Sequence, residues 1–147
     1  MKLKQISVFI ENSPARLYNV ASALAEAGIN LRALNLVDKG DFGVLRLLVS
    51  DITKARQIIM QMHLPARVDE VIAAEIDDRP GELARLLKPL LDGGVVVEYM
   101  YAFLGFSPGK AVMIFRFSDN DQAIEALRKI NVRLLDAESF GMLDSTT

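Results

Sequence analysis

Side chains able to do covalent chemistry are scarce in this chain, which has no cysteine and a single histidine, His63, among 147 residues. Thiol nucleophiles, thiolate metal sites and disulfides are thereby excluded. Neither a Gly-x-Ser-x-Gly turn nor a Gly-rich phosphate loop occurs. His63, near Pro65 and with no second His or carboxylate close in sequence, reads as structural or solvent-facing. Two short runs stand where helices should begin: Asn12-Ser13-Pro14 and Asp78-Arg79-Pro80. The free N–H groups and dipole of a helix N-terminus favour a carboxylate or phosphate. Asn12 and Ser13 can donate to such an anion, and the Asn12 oxygen can accept from an ammonium, so the pair suits both ends of an α-amino acid. Asn30, just beyond Gly28, could return to the same place if the strand that follows runs beside the loop. On spacing alone a plainer role is favoured, with Asn12 and Ser13 capping the helix and Asn30 in a turn.

The elements that would position these residues are duplicated. Ile10-Glu11-Asn12-Ser13-Pro14-Ala15-Arg16-Leu17 recurs as Ile76-Asp77-Asp78-Arg79-Pro80-Gly81-Glu82-Leu83, a shift of 66 that also maps Leu24 on Leu90 and Gly28 on Gly94. Two extra residues in the second copy then bring Ser50-Asp51 onto Ser118-Asp119 and Ala55 onto Ala123. Each copy reads β-α-β-β-α-β. In the first, alternation over Leu3 to Ile10 gives a strand, and Ser13-Pro14 opens a helix whose apolar stripe is Leu17, Val20, Ala21, Leu24 and Ala25. Gly28 stops it in a left-handed conformation. Strands over Ile29–Val37 and Val44–Val49, a helix over Asp51–Met62 and an extended segment after Pro65 complete the copy. The second copy predicts a strand over Ile72–Asp77, a helix over Pro80–Leu91 kinked or cut short by Pro89, and a stop at Gly93-Gly94. Strands over Val95–Leu104 and Ala111–Phe117 flank a loop over Gly105 to Gly109, and a helix over Asn120–Ile130 leads to a strand over Val132–Phe140. No Gly, Ser or Pro lies between Arg67 and Ile76, so one stretch must end the first copy and begin the second, joining them rigidly. The expected domains are 1–70 and 71–147.

Composition narrows the class. The chain is 51% hydrophobic and 24% charged, too apolar for disorder. No apolar run approaches 18 residues and no signal peptide is expected, so a soluble cytoplasmic protein without a membrane partner follows. Seventeen basic against nineteen acidic residues, net charge −2, argue against nucleic acid. The strand residues are apolar on both faces, as in Val44-Leu45 to Leu47-Leu48-Val49 and Val112 to Phe117. Units near 70 residues sit close to the lower limit of independent folding. Both features point to helix-free sheet faces covered by another copy, within the chain or in a second chain; a homodimer is expected, the plainer alternative being a monomer whose two copies cover each other.

The two runs, continued through Gly28-Ile29-Asn30 and through Gly94, resemble the ACT domain. Members of that family are small βαββαβ modules that regulate amino-acid metabolism, and the signature is Asn/Asp-x-Pro-Gly-x-Leu, a helix, then Gly-hydrophobic-Asn. The resemblance spans nearly the whole chain twice, in the manner of stand-alone bacterial tandem ACT proteins without a catalytic domain. It implies an α+β fold of two ferredoxin-like units, each an antiparallel four-stranded sheet with helices on one face. It also implies ligands bound where modules pair, held by Asn residues at positions matching Asn12 and Asn30. The second copy departs from the signature, with Asp78 and Val96 where the first has Asn12 and Asn30, and the first copy has Ala15 in place of Gly. The better site is therefore expected in copy one, from Asn12, Ser13, Pro14, Asn30 and Leu31. Asp78 contributes to ammonium recognition and Arg79 offsets the acidic pair; Tyr99 and Met100 are touched by a ligand lying across the seam.

Competing classes fit less well. Acylphosphatases, RNA-binding sheets and metal carriers of the same topology need an Arg-bearing Gly-rich loop, exposed aromatics between basic residues, or Cys-x-x-Cys, and none is present. The expectation is a non-enzymatic amino-acid sensor with no cofactor and no metal, working with an enzyme or regulator of amino-acid metabolism. A protein–protein interaction module that regulates a partner enzyme without binding a ligand is the alternative.

Overall fold

The computed structural model describes residues 1–11, 13–104 and 107–142. Asn12 and the first part of the loop expected over Gly105 to Gly109 lie outside the described residues. The elements are β1 (Leu3–Glu11), α1 (Pro14–Glu26), β2 (Leu31–Asp38), β3 (Phe42–Val49), α2 (Ile52–Gln61), β4 (Ala66–Asp77), α3 (Glu82–Asp92), β5 (Val97–Leu104), β6 (Lys110–Phe117), α4 (Asn120–Lys129) and β7 (Arg133–Leu135). The fold is α+β with antiparallel strands and four helices, two ferredoxin-like units. No helix among the described residues is long and apolar enough to cross a membrane.

Two compact units emerge. An N-terminal unit comprises Lys4–Asp69 with the described residues from Ala137 to Met142, and a C-terminal unit comprises Glu70–Asp136 with Met1–Leu3. In the first, β3 lies between β1 and β2, with Glu11 opposite Phe42 and Leu34 opposite Leu47. The Phe9 N–H donates to the Pro65 carbonyl at 2.9 Å, bringing the approach to β4 along the other side of β1. In the second, β6 lies between β4 and β5, and β7 pairs with β4. The stretch without breakers is one unbroken strand of 12 residues, β4.

Each core forms where the two sequence periods meet. Ile6, Val8 and Ile10 of β1 and Leu45, Leu47 and Val49 of β3 share a face and pack against Val20 and Leu24 of α1 and Ala55 and Ile59 of α2. In the second unit Ile72, Ala74 and Ile76, with Met113, Phe115 and Phe117, meet Leu86, Leu90, Ala123 and Leu127. The opposite faces are buried too, with Leu48, Val71, Ala73, Val112 and Ile114 showing no exposure within the single chain.

Local signals explain most boundaries. Gly28 and Gly94 take φ of +75° and +71°. The following Ile29 and Val95 N–H groups then donate to the Leu24 and Leu90 carbonyls at 3.0 and 2.9 Å, closing each helix. His63 and Asn131 hold the same left-handed position after α2 and α4, at φ of 60° and 59°, which gives the lone histidine a structural place. Asp51 and Asp119 cap α2 and α4 by accepting from the Lys54 and Gln122 N–H groups at 3.1 and 3.0 Å.

Three expectations are corrected. α3 begins at Glu82 instead of Pro80, because Gly81 serves as N-cap at φ +90°, a conformation the corresponding Ala15 would adopt only with strain. Pro89 lies inside α3 as expected but does not cut it short: it sits in the last turn and the helix runs on to Asp92, so the missing donor costs a single bond. The final strand spans only Arg133–Leu135, not Val132–Phe140. Past Asp136 the chain coils tightly, with the Phe140 and Met142 N–H groups both donating to the Ala137 carbonyl at 3.1 and 2.9 Å, and it packs with the N-terminal unit.

Candidate functional site

The turn between β1 and α1 opens onto a cavity of about 300 Å³ whose walls include Ile10, Glu11, Ser13, Pro14, Leu36 and Asp38. Ser13 is the N-cap of α1 at φ −140° and ψ 148°, yet its hydroxyl makes no capping bond, and the first turn of α1 contains no acidic residue. Among the described residues the start of α1 is closed by two backbone bonds, Ser13 N–H to the Glu11 carbonyl at 2.8 Å and Arg16 N–H to the Ser13 carbonyl at 3.2 Å, and by an ion pair between Arg16 and Glu11 at 3.8 Å. Pro14 at N1 gives up a donor the helix would have left unsatisfied. The lining thus combines the Ser13 hydroxyl at the positive end of α1, the Glu11 and Asp38 carboxylates, and the apolar Ile10, Leu17 and Leu36. An ammonium, a carboxylate and an apolar side chain each find a complementary surface.

The matching start in the second unit is closed by the protein's own charges. Glu82, 7% exposed, lies in the first turn of α3 and accepts from Arg79 Nε at 3.2 Å and from Arg85 Nη2 at 3.2 Å. Arg79 also reaches Asp77 at 3.2 Å, and Lys110 holds the other Asp77 oxygen. The Lys110 ammonium, by hydrogen bond first and by charge second, with help from Arg79, keeps the Asp77 carboxyl below its ordinary value. Asp78 is exposed, and its N–H is tied to the Gly109 carbonyl at 2.9 Å. Arg79 is thus engaged with carboxylates of its own unit.

Asn30 and Leu31 are not brought to the cavity. Asp38 pairs with Gly43 at the Glu11 end of the sheet, whereas Leu31 pairs with Val49 at the other end, more than about 20 Å away along the strand. The Asn30 N–H donates to Ser50 Oγ and its carbonyl accepts from the Ser50 N–H, both at 2.9 Å. Val96 makes the same clasp with Ser118 at 3.0 and 2.8 Å, so the clasp needs no amide side chain. Tyr99 and Met100 lie on β5, opposite Arg116 and Phe115. Of the two third-strand arginines, Arg116 pairs with Glu98 at 3.3 Å, and Arg46 donates to Asn35 Oδ1 at 3.3 Å. Sequence reasoning missed Leu36, Asp38 and Glu82 as site features. Of these, only Glu82 had a local signal that could have found it, an acid three residues after Arg79 at the start of a helix.

Against known proteins, the model of the ACT domain pair matches residues 1–143. The crystal structure of protein BT0572 from Bacteroides thetaiotaomicron is similar at 38% identity, over 97% of this chain and 98% of that one, with a TM-score of 0.90. The ligand-free regulatory subunit of aspartate kinase from Thermus thermophilus shares the fold at 17% identity, over 86% of this chain and 89% of that one, with a TM-score of 0.63. Among curated proteins, none matches the sequence.

Proposed function

The chain belongs to the ACT domain family as an ACT domain pair, a regulatory and not a catalytic class, and from that premise we propose that it is an amino-acid-binding sensor whose better site lies at the start of α1. One contrast carries the reading: the N-terminus of α1 has an uncapped Ser13, no first-turn acid and an adjoining cavity, while its twin at α3 is filled by Glu82. A free amino acid would place its carboxylate against the helix start and Ser13, its ammonium toward Glu11 and Asp38, and its side chain against Leu17 and Leu36. Asn12 would add its amide. The modules are taken as 1–70 and 71–147.

Asn30 and Leu31 enter this site through a second copy. β2 is a sheet edge and exposes Leu34 and Leu36 to 55% and 46%, an apolar edge that a partner strand would cover. Two β2 strands related by a two-fold axis run antiparallel, so the Asn30 end of one meets the Asp38 end of the other. A homodimer so formed would complete each cavity with the partner's amide, and β5, carrying Tyr99 and Met100, is the equivalent edge in the second unit. Ligand binding then favours one packing of modules over another, which a partner enzyme or regulator of amino-acid metabolism in the cytoplasm would sense.

A thermal-shift screen against the twenty amino acids tests this. A ligand at about 100 times its Kd adds about 2.7 kcal/mol of stability, and Asn12→Ala, Ser13→Ala and Asn30→Ala should each reduce the shift. Shifts left intact in all three variants would remove the site. Absence of any shift would leave the interaction-module reading, in which the Leu34–Leu36 edge docks a partner enzyme with no metabolite involved.

A further inference from the structure

A second hollow lies beside α2, away from the start of α1. Ile52, Arg56 and Met60 on one side of that helix, with Lys4 and Val68 from the strands, line a cavity of about 540 Å³. A neighbouring hollow of about 190 Å³ shares Arg56, Met60 and Val68 with it. The duplication supplies an internal comparison. With the N-cap Asp51 aligned on Asp119, Arg56 falls on Ile124 and Gln57 on Glu125, and the strand shift places Lys4 on Glu70. Ile124 is 7% exposed and belongs to the core of its unit. Arg56 instead is exposed and makes no ion pair or hydrogen bond among the described residues. One copy thus fills its position with an isoleucine among acidic neighbours, and the other opens it and lines it with cations.

We propose that this hollow is a binding site for a small organic carboxylate bearing an apolar chain. An accessible guanidinium is matched by a carboxylate, which it binds through two parallel N–H···O bonds. Met60 and Val68, 62% and 37% exposed, offer the apolar chain a floor, and a thioether adapts to chains of differing shape. The volume falls in the range of small-molecule sites. Lys4, from β1, is a second cation among the residues that line the hollow.

Calorimetric titration of the full chain with octanoate, octanamide and inorganic phosphate decides the matter. Octanoate should bind, octanamide at least about tenfold more weakly, and Arg56→Gln should weaken octanoate by a similar factor. Asn12→Ala should leave octanoate binding unchanged, which separates this site from the amino-acid site. Equal affinity for octanoate and octanamide would reduce the hollow to a greasy groove. That result, an Arg56→Gln chain binding as well as the parent, or no binding of octanoate, would each overturn the proposal.

Discussion

Asp77 ends β4 between two cations, the Lys110 ammonium and the Arg79 guanidinium at 3.2 Å. Its carboxyl titrates below the ordinary value of 3.8, so its contribution to stability is fully present above that value and is lost as the pH falls through the lowered one. Urea denaturation from pH 7 down to pH 2 should therefore show Asp77→Asn less stable than the parent at neutral pH and the two converging at the acid end. Lys2 behaves with the opposite sign. A hydrogen bond to Asp121, then the charge of Glu70, raises its ammonium above 10.5, so that contribution persists through neutrality and fades only in strong alkali. At this scale the sequence was informative where a residue acts through its own backbone. Gly28 and Gly94 were readable because φ preference is a local property, whereas Asp51 and Asp119 were aligned by the repeat without being read as caps. The Arg79–Glu82 closure was harder to read, since Arg79 could as well have faced a ligand.

The helix starts differ in how they are secured, and that difference is measurable. Asp51 and Asp119 cap α2 and α4 with their side chains, so Asp51→Ala and Asp119→Ala should each cost about 1 kcal/mol in equilibrium denaturation. Ser13 makes no such bond, and Ser13→Ala should change stability by no more than a few tenths of a kcal/mol while weakening ligand. All four helices and most strands followed from periodicity and punctuation, since buried stripes at 3.6 and 2.0 residues are set by which face meets the sheet. β7 broke that logic. Leu134 and Leu135 are buried and paired, but the alternation beyond them carries no information about where Phe140 goes. Its burial depends on residues more than a hundred positions away, and a short apolar run cannot announce a distant partner. The separation of Asn30 from Ser13 within one chain was illegible for a related reason: it depends on strand length and register, not on the neighbours of Asn30.

Across the whole molecule the ends of the chain do not stay with their own repeats. Phe140 and Met142 are 5% and 7% exposed, and the Gly141 carbonyl accepts from Arg32 Nε at 3.0 Å. Phe140→Ala should accordingly destabilise the protein by about 3 kcal/mol, a loss that would be near zero if the tail merely trailed into solvent. Assembly belongs to this scale too. Leu36→Lys places a charge on the exposed β2 edge, and sedimentation should show the parent near twice 16.3 kDa and the variant near the single-chain mass.

The first three residues count with the C-terminal unit and the last described ones with the N-terminal unit. A gene cut between Asp69 and Glu70 would then yield no portable cassette, because each fragment would carry off a piece that its sibling requires. Duplication created two interchangeable halves, and the traded ends have made them a single heritable object.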